Sequence, residues 1–178
     1  AFSESDSEQV YSLKVLSGMK WAISFALIGL TIFGLIFFAR AYLADVYFAK
    51  AVDYDNRRQI DQAINQYQKA TDLYPYEERY WYSLGNVYTT KAQYQQKLSN
   101  FRISFQKASK AFEKAQQTNP WDELSYFYAG YAYQIAGEML EDRSFLVLAE
   151  SNHRQALNLN PYSVSALMNI GATLASLG

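Results

Sequence analysis

Three segments of the 178-residue chain end with the same spacing of small, ring-bearing and proline residues. In each, an alanine is followed four residues later by a ring, then three later by a second alanine and five later by a proline. The segments are Ala63…Tyr67…Ala70…Pro75, Ala108…Phe112…Ala115…Pro120 and Ala149…His153…Ala156…Pro161. Small and large residues at helical spacing let two helices pack closely, and proline ends a helix. The pattern predicts stacked pairs of helices.

A second motif precedes each of these segments and occurs once more near the C-terminal end. In it, a residue with little or no side chain lies between large apolar or aromatic residues on one helical face. In the four copies this residue is Ala51, Gly85, Gly130 and Gly171. A small residue allows the partner helix to approach closely. We expect the following residues to pack between the helices: Trp81, Gly85, Tyr88, Gly130, Tyr133 and Gly171.

Together the two motifs resemble those of the tetratricopeptide-repeat (TPR) family. The resemblance implies an all-α fold, a superhelix of three helical hairpins plus a terminal half-repeat. The units are residues 44–77, 78–122, 123–163 and the half-repeat 164–178. The second and third units have 45 and 41 residues instead of 34, which predicts longer helices around residues 91–104 and 137–146. We expect these extensions to project beyond the regular superhelix.

An uncharged, mostly apolar run of 19 residues, 21–39, lies ahead of the repeats between Lys20 and Arg40. At about 1.5 Å per residue such a helix reaches about 28 Å, close to the roughly 30 Å of a bilayer's hydrocarbon core. We predict a single transmembrane helix over residues 18–43, preceded by a polar flexible segment, residues 1–17. Neither proline nor glycine follows the span, so the helix should continue to about residue 53. Cations flank both ends, which leaves the orientation open.

Four stretches carry a narrower resemblance. The span ends in Arg-Ala-Tyr-Leu-Ala-Asp-Val-Tyr-Phe (40–48), and residues 74–81, 115–121 and 169–178 follow within the repeats. These stretches resemble the C-terminal tail of bacterial O-antigen ligase family proteins, which carry TPRs after their last span. The resemblance implies an extracytoplasmic TPR domain in the cell envelope. The polytopic ligase portion has no counterpart in this sequence, so glycan transfer is not implied.

The composition argues against catalysis. The chain has no cysteine and a single histidine, which excludes thiolate nucleophiles and zinc sites built from several histidines. Neither a glycine-rich phosphate loop nor a nucleophile elbow occurs. A formal charge of −1 argues against a nucleic-acid partner. We predict a non-enzymatic protein without cofactor or metal, in which His153 is a packing residue.

The first helix of each repeat is expected to line a concave groove. By repeat position, the groove residues are Phe48, Tyr82, Asn86, Phe127 and Tyr131. An aromatic groove can bind a helix or an extended peptide by burial, or a sugar by stacking. Phe48 and Val52 stand at the first two positions of the clamp with which chaperone-binding TPR domains hold a peptide carboxylate, so we do not expect this chain to capture chaperone tails.

Charge is segregated along the repeats. Residues 80–112 contain five cations and no acid, whereas residues 113–150 contain seven acids and two cations. This pattern is typical of a solvated face, but it also suits contact with anionic lipid or glycan, or head-to-tail pairing of copies. The candidate assembly residues are Lys91, Lys97, Arg102, Lys107, Lys110, Glu138, Glu141 and Asp142. Tyr94, Phe101 and Phe145 should supply the affinity of such contacts.

Two functional interpretations follow. The first is a membrane-anchored TPR scaffold for protein–protein interaction that self-assembles into an ordered oligomer, including an extracellular filament or tubule. Its partners would be further copies of the chain and, through residues 21–39, membrane lipid. A glycan is a further candidate partner. The alternative is an accessory or processed tail domain of an envelope polysaccharide (O-antigen) ligase or polymerase system.

Overall fold

The computed structural model describes the backbone of residues 4–178 and the side chains of residues 19–178. This part of the chain contains seven α-helices and no strand, as the all-α prediction requires. The helices are α1 (Glu4–Asn56), α2 (Ile60–Leu73), α3 (Glu78–Gln93), α4 (Leu98–Thr118), α5 (Glu123–Leu140), α6 (Arg143–Leu159) and α7 (Val164–Leu177). Two compact units divide the chain, Ala1–Tyr42 and Leu43–Gly178.

The first unit is the N-terminal part of α1. This helix is long and apolar enough to cross a membrane, with a mean hydropathy of 2.4 in its most apolar window. The hydroxyl of Ser24 donates to the Lys20 carbonyl at 3.0 Å, and that of Thr31 donates to the Leu27 carbonyl at 2.8 Å. Both polar side chains are therefore satisfied by their own helix, as a lipid environment requires. These features fit a membrane anchor.

The start of α1 differs from the prediction. The flexible segment expected over residues 1–17 is helical from Glu4 onward, and residues 1–3 lie outside the described residues. Most residues in this stretch are ordinary or good helix formers, and neither proline nor glycine occurs before Gly18. Polarity alone is thus a poor indicator of a helix boundary here. The far end of α1 is Asn56, close to the predicted residue 53.

The second unit is built from successive helical hairpins. Ring-to-ring contacts join Phe48, near the end of α1, to Tyr67 of α2, and α3 packs on α4 and α5 on α6. Every alanine of the repeated segments is buried, and each following proline comes directly after the helix cap, as at Tyr74 and Asn119. Side-chain caps begin α5 and α6, where Asp122 accepts from the Ser125 amide and Asp142 from the Ser144 amide.

The lengthened helices do not project from the superhelix as expected. Phe101 is fully buried and stacks on Phe105 at a centroid distance of 6.1 Å. The ring of Phe145 lies 5.3 Å from Phe105 and 6.3 Å from Tyr133. The extra turns of α4, α5 and α6 therefore enlarge the core, because their aromatic residues pack against one another. Of the three aromatics expected on the surface, only Tyr94 is largely exposed.

Helix α7 is the terminal half-repeat. It packs mainly on α6 and touches α5 only at its edge. One face is buried through Ala166, Ile170 and Thr173, and most of the remaining large apolar side chains are exposed. Those exposed are Val164, Leu167, Met168 and Leu174.

Candidate functional site

A concave site of about 340 Å³ lies between the first helices of three successive units, α3, α5 and α7. No charged side chain lines it, and its walls combine aromatic, thioether, hydroxyl and amide groups. The lining residues are Asn86, Phe127, Tyr128, Tyr131, Ser165, Met168 and Asn169. We call this site the inner groove. Its chemistry suits an apolar surface that also presents hydrogen-bonding groups.

Packing on the opposite side of each helix fixes the walls of the inner groove. Gly130, beside Tyr131, faces α6 so closely that an added Cβ would lie 2.6 Å from the His153 ring. Gly85, beside Asn86, faces α4, where a Cβ would lie 2.7 Å from the Phe112 ring. Since neighbouring helical residues point about 100° apart, the residue after each glycine turns toward the groove.

Three of the five expected groove residues line the inner groove, namely Asn86, Phe127 and Tyr131. Tyr82 does not line it but stacks on Tyr128, which does, with ring centroids 5.7 Å apart. Burial, reinforced by the charge of Asp122, raises the pKa of Tyr82 to about 12, so its hydroxyl is neutral at physiological pH. Tyr82 thus packs against a residue of the groove wall without lining the groove itself.

The fifth expected groove residue, Phe48, lies elsewhere. Its half-buried ring packs 5.1 Å from Tyr80 and 5.5 Å from Tyr67, beneath the Arg79 guanidinium at 4.8 Å. Asp45 links α1 to α3 beside Phe48. It accepts a hydrogen bond from the Tyr80 hydroxyl at 2.6 Å and forms an ion pair with Arg79 at 3.3 Å. Phe48 belongs to the packing of the first repeat because these side chains cover it.

Sequence reasoning missed four residues of the inner groove, Tyr128, Ser165, Met168 and Asn169. The repeat register could have found Met168, because it stands three residues before Gly171 as Phe127 stands three before Gly130. Tyr128 and Asn169 likewise share a repeat position, two residues before the glycine. Ser165 carries no such signal.

Five of the six residues expected to pack between helices do so. Gly85 and Gly130 lie at close contacts, Tyr88 is buried, and Trp81 and Tyr133 are half-buried. The Trp81 indole donates to the Pro75 carbonyl at 2.9 Å, and the Tyr133 hydroxyl shares a hydrogen bond with Ser109.

Gly171 was expected at such a contact and is not, since nothing lies within 4 Å of an added Cβ. No second helix packs over it within the described chain. A close contact that the sequence did not indicate occurs instead at Gly137, where an added Cβ would lie 2.5 Å from the Leu146 side chain.

His153 occupies the ring position of the third repeated segment. It is fully buried, and neither ring nitrogen has a hydrogen-bond partner among the described residues. Burial lowers its pKa to about 4, so the imidazole is neutral at physiological pH. Its location against Gly130 and Phe127 is that of a packing residue. Within residues 19–178, no cluster of three or more acidic or histidine side chains could hold a metal ion.

The candidate assembly residues are partly engaged within the chain. Lys91 pairs with Asp61 at 2.7 Å, and Lys107 lies over the Tyr88 ring at 5.6 Å. Glu138 accepts hydrogen bonds from Gln134 and Ser176.

Three of the remaining residues, Lys97, Arg102 and Lys110, are exposed. Asp142 caps α6, and its hydrogen bonds from Ser144 lower the pKa of its carboxyl. Glu141 adopts a left-handed backbone conformation, φ 53°, at the end of α5. The acidic cluster is therefore largely a helix-capping turn.

Comparison with known proteins adds one family and a fold. The family model described as "Plant specific mitochondrial import receptor subunit TOM20" matches residues 35–129. No curated protein matches the sequence. The matching family is therefore not the O-antigen ligase family whose tail the four stretches resembled, and the extracytoplasmic placement that rested on that resemblance loses its basis.

Solved structures with similar folds include TPR domains. The first TPR of Spaghetti (RPAP3) bound to the HSP90 peptide SRMEEVD is 21% identical with a TM-score of 0.62, over 77% of this chain and 94% of that one. The Arabidopsis OM64 TPR domain is 19% identical with a TM-score of 0.60, and the match covers 75% of this chain and 96% of that domain. MamA is 19% identical with a TM-score of 0.58, and the match covers 75% of this chain and 67% of MamA. These similarities establish the TPR fold.

Proposed function

Because the chain belongs to the family of the plant specific mitochondrial import receptor subunit TOM20, we propose that it is a membrane-anchored import receptor. In this proposal, α1 anchors the protein in the outer membrane of mitochondria. The repeats face the compartment from which precursor proteins arrive, and the inner groove binds a segment of each precursor. The observation that carries the proposal is the uncharged, aromatic inner groove between α3, α5 and α7.

The chemistry of the inner groove supports binding of an apolar face of a polypeptide. Phe127, Tyr131 and Met168 offer apolar surface, and burial of such surface provides about 25 cal/mol per Å². The amides of Asn86 and Asn169 can hydrogen-bond to the polar edge of the bound segment. A carboxylate-terminated acidic tail is a poor match, because no cation lines the groove to neutralise it.

The self-assembling scaffold and the ligase-accessory role expected from the sequence gain no support from the family or from the similar structures. Both similarities favour a receptor that binds other polypeptides. Self-assembly makes a distinct prediction, namely that the charged surface near Tyr94 contacts other copies of the chain, so a single experiment separates the two functions.

Site-specific photocrosslinking tests the proposal. A photoreactive phenylalanine analogue replaces Tyr131, in the inner groove, or Tyr94, an exposed residue outside it on the surface expected for self-assembly. The full chain, held in lipid nanodiscs, receives a radiolabelled mitochondrial precursor or the same protein without its targeting segment. We expect crosslinks only from position 131 and only to the intact precursor. Equal crosslinking from both positions, or crosslinks from position 131 only to copies of the chain, would overturn the proposal.

A further inference from the structure

A second groove lies on another side of the repeats, between α2, α3 and α4. Two cavities of about 380 and 250 Å³ form it, and they are adjacent because both are lined by Tyr88 and Lys107. The floor is apolar and aromatic, from Trp81, Leu84 and Tyr88. We call it the outer basic groove. It shares no lining residue with the inner groove.

Lysines line this groove. Lys107, Lys110 and Lys114 follow one another along α4, and Lys91 lies across from them on α3. Two carboxylates are near: Asp61 is paired with Lys91, and Glu113 lines the groove together with Lys110 and Lys114. Lys107, Lys110 and Lys114 form no ion pair with any described residue. Lys107 lies over the Tyr88 ring at 5.6 Å and Lys114 donates to Gln117 at 3.3 Å, but neither contact supplies a carboxylate to offset the positive charge above the apolar floor.

We propose that the outer basic groove binds an acidic peptide segment that carries an apolar side chain. The carboxylates would pair with Lys107, Lys110 and Lys114, while the apolar side chain would reach the floor beside Trp81 and Tyr88. Gln68 donates to the Tyr88 hydroxyl and Gln117 accepts from Lys114, which leaves the Gln68 carbonyl and the Gln117 amide N–H groups to hydrogen-bond to the peptide backbone. Such a combination of charge pairing at the rim and burial at the centre is typical of peptide recognition.

Two other occupants fit less well. A membrane surface is flat, whereas the floor of this groove is recessed between helices, so lipid headgroups would meet the lysines without covering the aromatic residues. In the acidic cluster of a second copy, Glu138 already accepts hydrogen bonds and Asp142 caps α6, so Glu141 would meet the lysines with little help from its neighbours.

Peptide binding to the full chain in neutral-lipid nanodiscs tests the proposal. The probe is a fluorescein-labelled peptide, Glu-Glu-Leu-Trp-Glu-Glu, with two companions in which Gln replaces every Glu or Ser replaces Leu and Trp. The groove variant combines Lys107→Glu with Lys110→Glu. Its matched control, Lys97→Glu with Arg143→Glu, makes the same change in net charge at exposed positions off the groove.

We expect the groove variant to weaken binding of the acidic probe about tenfold or more at low salt, and the control to change it less than about threefold. Both companion peptides should bind about tenfold more weakly than the probe. Equal losses in the two variants, or equal binding of the three peptides, would overturn the proposal. So would a groove variant that loses only its association with phosphatidylserine vesicles, or only its association with other copies of the chain. Circular dichroism of each variant confirms that the fold is retained.

Discussion

Helices α5 and α7 begin successive repeat units with the same motif, a glycine between large apolar residues, but their glycines have opposite surroundings. An added Cβ at Gly130 would lie 2.6 Å from His153 of α6, whereas an added Cβ at Gly171 meets nothing within 4 Å. The motif thus records a position in the repeat, and the need for glycine arises only where a second helix covers that position. The following predictions separate the two helices.

Leucine at the two glycines should give the largest difference. Gly130→Leu must displace the buried His153 ring and should lower the free energy of unfolding by about 3 kcal/mol or more. Gly171→Leu should leave it within about 1 kcal/mol of the parent, because the position is open and leucine is the better helix former. Urea unfolding of the full chain in detergent measures both. Similar losses in the two variants would show that α7 is covered as α5 is.

Removing the imidazole should change how stability depends on pH. The pKa of His153 is about 4 when folded and takes its ordinary value of 6.5 when unfolded, so the unfolded chain binds a proton that the folded chain cannot. The contribution of the neutral imidazole to the free energy of unfolding is therefore fully present above about pH 6.5. It falls by about 3 kcal/mol as the pH drops toward 4.

His153→Phe should abolish this part of the pH dependence, since phenylalanine fills the equivalent position in the second repeat. The reciprocal variant, Phe112→His, should create it there. Urea unfolding of the parent and the variants at pH 7 and pH 4.5 gives the loss of unfolding free energy for each protein. The carboxylates are the same in all of them, so their contribution cancels when the losses are compared. A parent and a His153→Phe variant that lose the same stability would refute the assignment of a buried, neutral imidazole.

Alanine should distinguish covered from open glycines with effects of opposite sign. Gly137→Ala places a Cβ 2.5 Å from the Leu146 side chain and 3.1 Å from its backbone nitrogen, and should cost about 1–3 kcal/mol. Gly171→Ala should stabilise the protein by about 0.5–1 kcal/mol, because alanine in an open helical position loses less backbone entropy than glycine. Thermal unfolding suffices to see the two signs, and destabilisation by Gly171→Ala would contradict the open surroundings of α7.

The helix caps should give the smallest difference. Asp122 accepts from the Ser125 amide at 2.8 Å and begins α5, whereas Ser163 accepts from the Ala166 amide at 3.4 Å and begins α7. Asp122→Ala should cost about 1 kcal/mol, and Ser163→Ala about half of that or less. Amide hydrogen exchange in the first turn of each helix reports the two losses separately. A larger loss in α7 would mean that its cap is stronger than its geometry indicates.

The sequence predicted the parts of the fold that depend on spacing within a helix. The buried alanines and the prolines after the second helices follow a fixed register, so the hairpins could be read from the residues alone. Phe48 was misplaced because its surroundings come from Tyr80 and Arg79, more than thirty residues away. Phe101 and Phe145 were placed on the surface because a longer repeat looks like an insertion. Instead, Phe145 of α6 packs on Phe105 of α4, and Phe101, one turn before Phe105, is fully buried.

The inner groove was predicted in part for the same reason. Asn86, Phe127 and Tyr131 follow from the repeat register, and so could Met168. The outer basic groove could not be predicted, because its lysines were visible in the sequence but the aromatic floor between α3 and α4 was not. A charge run shows which residues are cationic, and only tertiary packing shows what lies beneath them.

Helix α7 is one wall of the inner groove, and within the described chain it packs on fewer helices than α3 or α5 do. In a linear array each helix is held by those beside it, so α7 should detach more often than α3 or α5. Whenever it detaches, Ser165, Met168 and Asn169 leave the groove together, and the binding-competent fraction of molecules falls. The measured affinity is the intrinsic affinity multiplied by that fraction, so a ligand that touches α7 holds it in place and lengthens its own residence time.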